Sequence, residues 1–593
     1  MKKKYLLAIS LLSLFCSCQD EVLDKRPLDI ISEDVVWEDK ALVDALLVKL
    51  YDYVSVFNND VGYGGDRGWA TRNISEISCE TRYGWEVENM HSFKTNGLTI
   101  NGGLMEYWEH PYFAIRQTND FIERLQKSTF DEDWKNLRIA EARFLRAFHY
   151  FAMVKRYGGV PLITKVLQLD DPEELLYPKR NSEKEIYDFI LSELDEIEEP
   201  LKNTVDYGRI TNWTVLAMKS RVALYAGSIA QFGKVQLDGL LGFPKEDAKH
   251  YYQISYDASK AIIEGGMFQL YNNDADKVTN FKNIFLTRKN CEVIFAKQYS
   301  WAEGLKGNGW TWDFMQCPKP HPWDCGMANT PYLEMAESFE YVDGRPGTLD
   351  REKIQNGVWS VEELWGGRDP RFYASIWTQE TLWKGNSVDC HNGLLKPDQT
   401  IENDRTASFN GVMAGGNQHK DGDYATGFGI MKYLDESQYT DGIGKDGSDY
   451  IVFRYAEILL NYAEAAFELG KTSDALDAIN QIRDRAGIVL LSTIDQEKIR
   501  HERKVELAFE GHRYWDVRRW RIATKELSGR YTGLRYILDY NSTLTDTKKY
   551  KIEFLTTIDG ATTPLTFKEH FYYFPITLGR TTANPNLIEN PGY

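Results

Sequence analysis

Three short stretches in the middle of the chain set indole rings beside carboxylates and amides: Trp301-Ala-Glu303, Asn308-Gly-Trp310-Thr-Trp312-Asp313 and Trp323-Asp324. A fourth, Arg82-Tyr83-Gly-Trp85-Glu86, repeats the pairing near the N-terminus. This combination suits a ring-shaped polyol. The C–H face of a pyranose stacks on an indole or phenol, while its hydroxyl rim needs Asp, Asn, Arg and backbone partners. Trp310 and Trp312, two residues apart, turn their rings the same way if the backbone is extended. A lone tryptophan is more often core than platform, yet eight of the 16 tryptophans fall between Trp301 and Trp383, a density that argues for binding. Trp108, Trp134, Trp213, Trp515 and Trp520 lie on helical stripes and are read as packing.

Other chemistries find less support. The chain has no H-E-x-x-H, no G-x-S-x-G and no P-loop. Gly442-Ile-Gly-Lys-Asp-Gly447 spells G-x-G-x-x-G, but no apolar strand precedes it, so it reads as a flexible loop with no βαβ unit behind it. Asp421-Gly-Asp423 places oxygen ligands at alternate positions, which would suit calcium, although no full ligand loop surrounds them. Cys317, His321 and Cys325 lack a fourth zinc ligand, and prolines stiffen the loop between them. Cys317 and Cys325 are near enough to bridge, and the sequence leaves that open. No catalytic group, metal or cofactor is assigned.

The elements that must hold the aromatic segments are mostly helical. Leu137, Ala140, Phe144, Ala147, Phe148, Phe151 and Val154 recur at spacings of three and four, and Gly158-Gly159 with Pro161 ends that helix. Trp213, Val215, Met218, Val222, Tyr225 and Ile229 define another. Tyr455 to Leu469 and Ala475 to Ala486 form a helical pair turning at Gly470, with Thr472 or Ser473 as the second N-cap, and this pair reads as a tetratricopeptide-like hairpin. Between about 236 and 450 the helical spacing fades and Gly, Asn, Asp, Pro and Trp rise, which marks a loop-rich insertion. Glu502, Arg503, Glu506, Glu510, Arg513, Asp516 and Arg519 crowd one helix and its continuation; each acid has an arginine three or four residues away, so the cluster reads as an ion-pair lock and not as an acid/base pair.

Composition limits the partners. The 593 residues carry a net charge of −18, which repels phosphate backbones, so nucleic acid is not a partner. Lys2, Lys3 and Lys4 precede an apolar run, Tyr5 to Phe15, that is too short to span a bilayer stably. Ser17-Cys18 after it resembles a bacterial lipoprotein cleavage box with Cys18 lipidated, which would tether the body to a membrane surface.

Along nearly its whole length the chain resembles the SusD/RagB family, the outer-membrane glycan-binding lipoproteins of Bacteroidetes. The resemblance is carried by Glu141-Ala-Arg-Phe-Leu-Arg-Ala-Phe-His-Tyr150, Tyr157-Gly-Gly-Val-Pro-Leu162, Arg454-Tyr-Ala-Glu-Ile-Leu-Leu460, Ala478-Ile-Asn-Gln-Ile-Arg-Asp-Arg-Ala-Gly487, Glu502-Arg-Lys-Val-Glu-Leu-Ala-Phe-Glu-Gly511 and Asn584-Pro-Asn-Leu-Ile-Glu-Asn-Pro-Gly-Tyr593, with Asp343-Gly344 and Asp369-Pro370-Arg371 as further landmarks. It implies a mostly α fold, with a tetratricopeptide-like scaffold and a loop-rich insertion carrying the ligand site. It divides the chain into a signal peptide over 1–18, a helical region over 19–235 and a C-terminal region with ligand loops over 236–593, the last two forming one folded unit. Asp20, Glu21 and Asp24 look like a surface-export signal. By analogy, the early segment (Arg82, Tyr83, Trp85) and the later ones (Trp301, Asn308, Trp310, Trp312, Asp313, Trp323, Asp324) line one platform. The implied function is to capture oligosaccharide at the outer surface and pass it to a TonB-dependent barrel of the SusC type. A peptide-binding role and a two-carboxylate glycosidase are the alternatives.

Overall fold

A computed structural model describes residues 36–55, 74–83, 93–94, 97, 99–103, 105–202, 204–300, 309–318, 327–418, 426–437, 442–559 and 564–593. Among the described residues no helix is long and apolar enough to cross a membrane.

The scaffold is a chain of helices, each packed on the next: α1 (Lys40–Tyr53), α2 (Glu109–Lys127), α3 (Glu132–Tyr157), α4 (Glu183–Ile197), α5 (Asn212–Phe232) and α6 (Ala248–Gly265). After α7 (Lys277–Leu286), α8 (Tyr455–Glu468) and α9 (Thr472–Ala486) form the helical hairpin, and α8 lies against α6. The local signals act as the sequence indicates. Asp131 caps α3 by accepting from the Trp134 N–H at 2.9 Å, and Gly158 ends it at φ 73°, a conformation costly to any residue with a Cβ. Gly470 turns the hairpin at φ 78°, while α9 starts at Thr472 with no side-chain cap, so the expected Thr472 or Ser473 cap does not form.

The reading of 236–450 as lacking helical spacing is corrected by α6 and α7. Helix α6 buries Tyr251, Tyr252, Ser255, Tyr256, Ser259 and Ile262, a stripe of hydroxyl-bearing residues that a count of apolar side chains passes over. The hydroxyls are satisfied internally: Ser259 and Ser220 share a hydrogen bond at 2.8 Å, and Ser255 donates to the Ser220 carbonyl at 2.9 Å. Because α6 packs on both α5 and α8, it joins helices from either side of residue 236.

Strands are few and short. β1 (Thr81–Tyr83) pairs antiparallel with β3 (Asn329–Pro331), and β2 (Val293–Lys297) pairs antiparallel with β4 (Tyr450–Arg454), which leads directly into α8. The longest pair, β5 (Tyr531–Asp539) and β6 (Tyr550–Asp559), forms the middle of a five-stranded sheet completed by Val358–Trp359, Leu394–Leu395 and Ile401–Glu402.

A buried charge network joins α10 (Gln496–Glu506) and α11 (Arg513–Arg519) to the rest. Glu506 accepts from Arg371 at 2.9 Å, from Arg454 at 2.7 Å and from Arg485. Glu502 accepts from Arg371 at 2.6 Å and Arg483 at 2.9 Å; Glu510 accepts from Arg454 at 2.7 Å and Lys432 at 2.8 Å. Asp516 takes Arg503 and Arg519. The lock is present, but most of its arginines come from distant segments and not from the next helical turn.

Candidate functional site

The aromatic segments singled out in the sequence fall partly outside the described residues: Trp85, Trp301, Asn308, Trp323 and Asp324 do, as do Cys18, Cys325, Asp421 and Asp423. The residues flanking these segments are described, and they meet in one place. Tyr83, which precedes segment 84–92, pairs with Asn329 just beyond segment 319–326. At the far end of 84–92, Lys94 Nζ donates back to the Thr81 carbonyl at 3.1 Å. The short helix Trp312–Gln316 closes on the other side of 319–326: the Ala328 N–H donates to the Met315 carbonyl at 2.8 Å, and Gln316 and Asn329 exchange two bonds at 2.6 and 3.1 Å.

Segment 301–308 runs into the same patch. Trp310 and Asp446 exchange main-chain hydrogen bonds at 2.7 and 3.0 Å. A Cβ on Gly309 would come within 2.2 Å of the Gly444 carbonyl oxygen, so glycine is required for that approach. Segment 419–425 ends at Thr426, whose hydroxyl donates to the Pro331 carbonyl at 2.5 Å. Segment 438–441 follows a turn in which the Asp435 N–H reaches the Asp313 carboxylate at 3.4 Å. The early aromatic segment and the later ones thus have neighbouring roots.

Within that patch three of the proposed ligand residues point inward. Trp310 and Trp312 are 1% and 2% exposed, and their rings stack on each other with centroids 5.0 Å apart. Tyr299 stacks on Trp310 at 5.8 Å, while Tyr433 and Tyr450 meet its edge at 5.2 and 5.7 Å. Trp312 Nε1 donates to the Lys432 carbonyl at 2.9 Å, and Asp313 is fully buried. The reading of these three as an open platform is therefore corrected. Trp312 begins a helix, so the extended backbone that would have set both rings side by side is absent, and the indoles are core. Arg82 is also largely buried, with its guanidinium donating to the Ile558 carbonyl at 3.0 Å, so it ties β1 to β6. Tyr83 contributes main-chain pairing.

The wider tryptophan cluster is mostly core as well. Trp365, Trp377 and Trp383 are buried, and Trp359 is half-buried with its N–H on the Ile354 carbonyl. Trp108, Trp515 and Trp520 are buried and Trp134 and Trp213 pack on the core, as their helical spacing indicates. Gly442 to Gly447 is a bend and turn whose Asp446 bridges Trp310.

What sequence reasoning missed is a pair of buried acids at the same place. Asp313 and Asp446 are 0% and 1% exposed, and the Asp446 carboxyl accepts from the Ser448 N–H at 2.7 Å. Burial, reinforced by the neighbouring Asp446, pushes the Asp313 carboxyl well above the usual carboxylate range, and burial pushes Asp446 up to about 7. The signal was absent from the sequence because the two residues are brought near by tertiary bonds, the bridge between Trp310 and Asp446 and the Gly444 N–H on Thr311 Oγ1.

Elsewhere, a groove of about 610 Å³ between Glu334, Glu340, Asp495 and His501 has no aromatic lining, and its carboxylates are engaged, Glu337 by Arg351 and Glu340 by Arg483. It lacks the stacking faces a sugar needs. Among the described residues no group of three or more His, Cys, Asp or Glu is arranged to hold a metal ion.

Comparison with known proteins agrees with the fold. Residues 291–593 match the family described as the SusD family, and residues 22–224 match one described as starch-binding and associating with the outer membrane. SusD-like protein P38 of Formosa agariphila is 25% identical over 561 residues, covering 89% of this chain and 93% of that protein. The starch-binding protein SusD of Bacteroides thetaiotaomicron is 23% identical across 88% of this chain and 83% of its own length. A solved SusD-like protein of Bacteroides fragilis superposes with a TM-score of 0.72 at 28% identity, covering 96% of this chain and 100% of that one.

Proposed function

Because the chain belongs to the SusD family, we propose that it is a non-catalytic receptor that binds oligosaccharide or polysaccharide at the cell surface and hands it to a TonB-dependent outer-membrane barrel. The observation that carries this reading is the convergence of roots: segments 84–92, 301–308 and 319–326, which contain Trp85, Trp301, Asn308, Trp323 and Asp324, begin or end within a few hydrogen bonds of one another. Rings and amides spaced along three segments from one rigid base offer stacking faces and hydroxyl partners together. The buried pair Trp310 and Trp312 belongs to the core and does not contact ligand. Each ring adds about 1 kcal/mol beyond burial, so affinity is modest, which suits a protein that must release its cargo. Lipidation at Cys18 is part of the same reading, since a tethered receptor needs an anchor.

A screen of the purified protein against polysaccharides and peptides, by retention gels and calorimetry, tests the binding class. Retention by at least one glycan without release of reducing ends is the expected result. Steady release of reducing ends would make it a glycosidase, and peptide binding without glycan binding would make it a peptide receptor. Replacing Cys18 with Ser should move the protein from the membrane to the soluble fraction, and co-purification of a barrel with the tagged native protein tests the hand-over.

A further inference from the structure

A cavity of about 320 Å³ lies beside the C-terminus, walled by Phe232 and Lys234 at the end of α5, by Gln236, by Arg521 just past α11, and by His570 and Tyr573. Arg521 is its unusual member. Helix α11 ends in a Schellman turn: the Ile522 N–H donates to the Val517 carbonyl and the Arg521 N–H to the Arg518 carbonyl, both at 3.0 Å. Such a turn needs a left-handed residue, and α6 and α9 use glycine for theirs, Gly266 and Gly487. Here an arginine takes φ 55°, a conformation costly to any residue with a Cβ. That cost sets a guanidinium at the cavity without an ion pair. Arg521 donates to the Tyr573 hydroxyl at 2.6 Å and to the Arg518 carbonyl at 3.4 Å, and it lies over the rings of Tyr572 and Tyr573, 4.7 and 4.9 Å from their centroids. Among the described residues no carboxylate is in ion-pair contact with it. Buried Glu183 is linked to it through the Tyr573 hydroxyl, which donates to Glu183 at 2.7 Å. Arg371, Arg454 and Arg519, by contrast, each meet a carboxylate directly. At the rim Lys234 and Glu569 stand 4.0 Å apart with most of both side chains in solvent, too loose a pair to neutralise either.

We propose that this cavity binds a carboxylate borne on a sugar-sized ring, a uronic acid being the simplest case. Arg521 is the anchor: only two of its N–H groups are engaged, and the rest can hold a carboxylate in the forked geometry that a guanidinium favours. Lys234 adds a cation at the rim. His570, set edge-on to Phe571 and Tyr593, offers a ring nitrogen to a hydroxyl. Half-buried Phe232 supplies an apolar wall for the C–H face of the ring. The volume suits a single sugar residue better than a long chain. A protein of net charge −18 repels acids at long range, so a pocket that takes one needs cations of its own, and Arg521 and Lys234 provide them. The site goes beyond the glycan reading above, since none of its lining residues belongs to segments 84–92, 301–308 or 319–326.

Calorimetric titration of the full-length protein at low ionic strength with glucuronate, glucose and acetate tests this, with a melting curve for each variant. The expected result is binding of glucuronate, with glucose and acetate each weaker by about tenfold or more. Arg521→Gly installs the residue that the turn favours, so the melting temperature should hold or rise while glucuronate affinity falls by about tenfold or more. A structural arginine would give the opposite, a lower melting temperature with affinity kept. Arg521→Lys keeps the charge but loses the fork, so its affinity should fall between the two, and it carries the test should Arg521→Gly not fold. Lys234→Gln, at the exposed rim, should cost about two- to threefold. No binding of glucuronate by the native protein, equal affinity for glucose or for acetate, or native affinity in the folded arginine variant overturns the proposal. Polysaccharide retention is a separate readout, and its absence would leave the glucuronate result standing.

Discussion

Glu506 is fully buried with three arginines on its carboxylate, whereas Asp313 is equally buried with another aspartate beside it. The first arrangement belongs to the helical scaffold, the second to the root of the proposed ligand face. In the scaffold, burial alone would raise Glu502, Glu506, Glu510 and Asp516, but the facing arginines outweigh it and hold all four below the ordinary carboxylate range. At the root, burial and the neighbouring acid push the pair the other way. The scaffold spends its arginines on a fixed geometry that joins segments far apart in sequence. The second arrangement keeps an uncompensated pair at the bridge between Trp310 and Asp446.

Breaking the scaffold side should have the largest effect. Arg454 donates to Glu292, Glu506 and Glu510, and Arg454→Met takes one cation from three buried carboxylates at once, leaving Arg371, Arg485 and Lys432 to hold them. A loss of about 3–5 kcal/mol in denaturant unfolding, or failure to accumulate as folded protein, is expected. A cost below about 1 kcal/mol, the level of an exposed pair, would show that the network is not a lock.

Titration separates the two sides next. Carboxylates with lowered folded values contribute stability that is complete above the unfolded value of about 4.3 and is lost as pH falls through their folded values. Melting temperature should therefore drop steeply in acid. The pair at the root has raised values, so its contribution runs the opposite way: it is most favourable in acid and is lost as pH rises toward 7. Asp446→Asn should raise stability at pH 8 by about 1–3 kcal/mol and change little at pH 5. Equal effects at both pH values would contradict that assignment.

The α5–α6 contact gives the smallest effect. Ser259→Ala leaves the Ser220 hydroxyl short of one partner and should cost about 1 kcal/mol in the same unfolding measurement, at every pH alike. A pH-dependent cost there would blur the distinction between neutral and ionised buried groups.

How much of this was legible in the sequence varies with the kind of residue. The α8–α9 hairpin was readable because Ile458, Leu459, Ala475, Ile479 and Ile482 leave an unmixed apolar stripe and Gly470 marks the turn. Helix α6 was not, because its buried stripe is written in tyrosine and serine, whose polarity hides the period until Ser220 is seen to satisfy it. The ion-pair lock was readable as a cluster of opposite charges, but not its wiring, since Arg371, Arg454 and Arg485 reach it through tertiary structure. The tryptophan density was over-read. An indole needs one acceptor to be buried, and a backbone carbonyl such as that of Lys432 for Trp312 supplies it invisibly to composition.

Ring stacking by segments rooted close together is the proposed mode of binding. Calorimetric titration of the triple variant Trp85→Ala, Trp301→Ala, Trp323→Ala with the best-retained glycan tests this most directly, alongside a melting curve to establish the fold. Loss of roughly 1 kcal/mol per ring, enough to abolish measurable binding with the melting temperature unchanged, is the result predicted. Native affinity in a folded triple variant would contradict it.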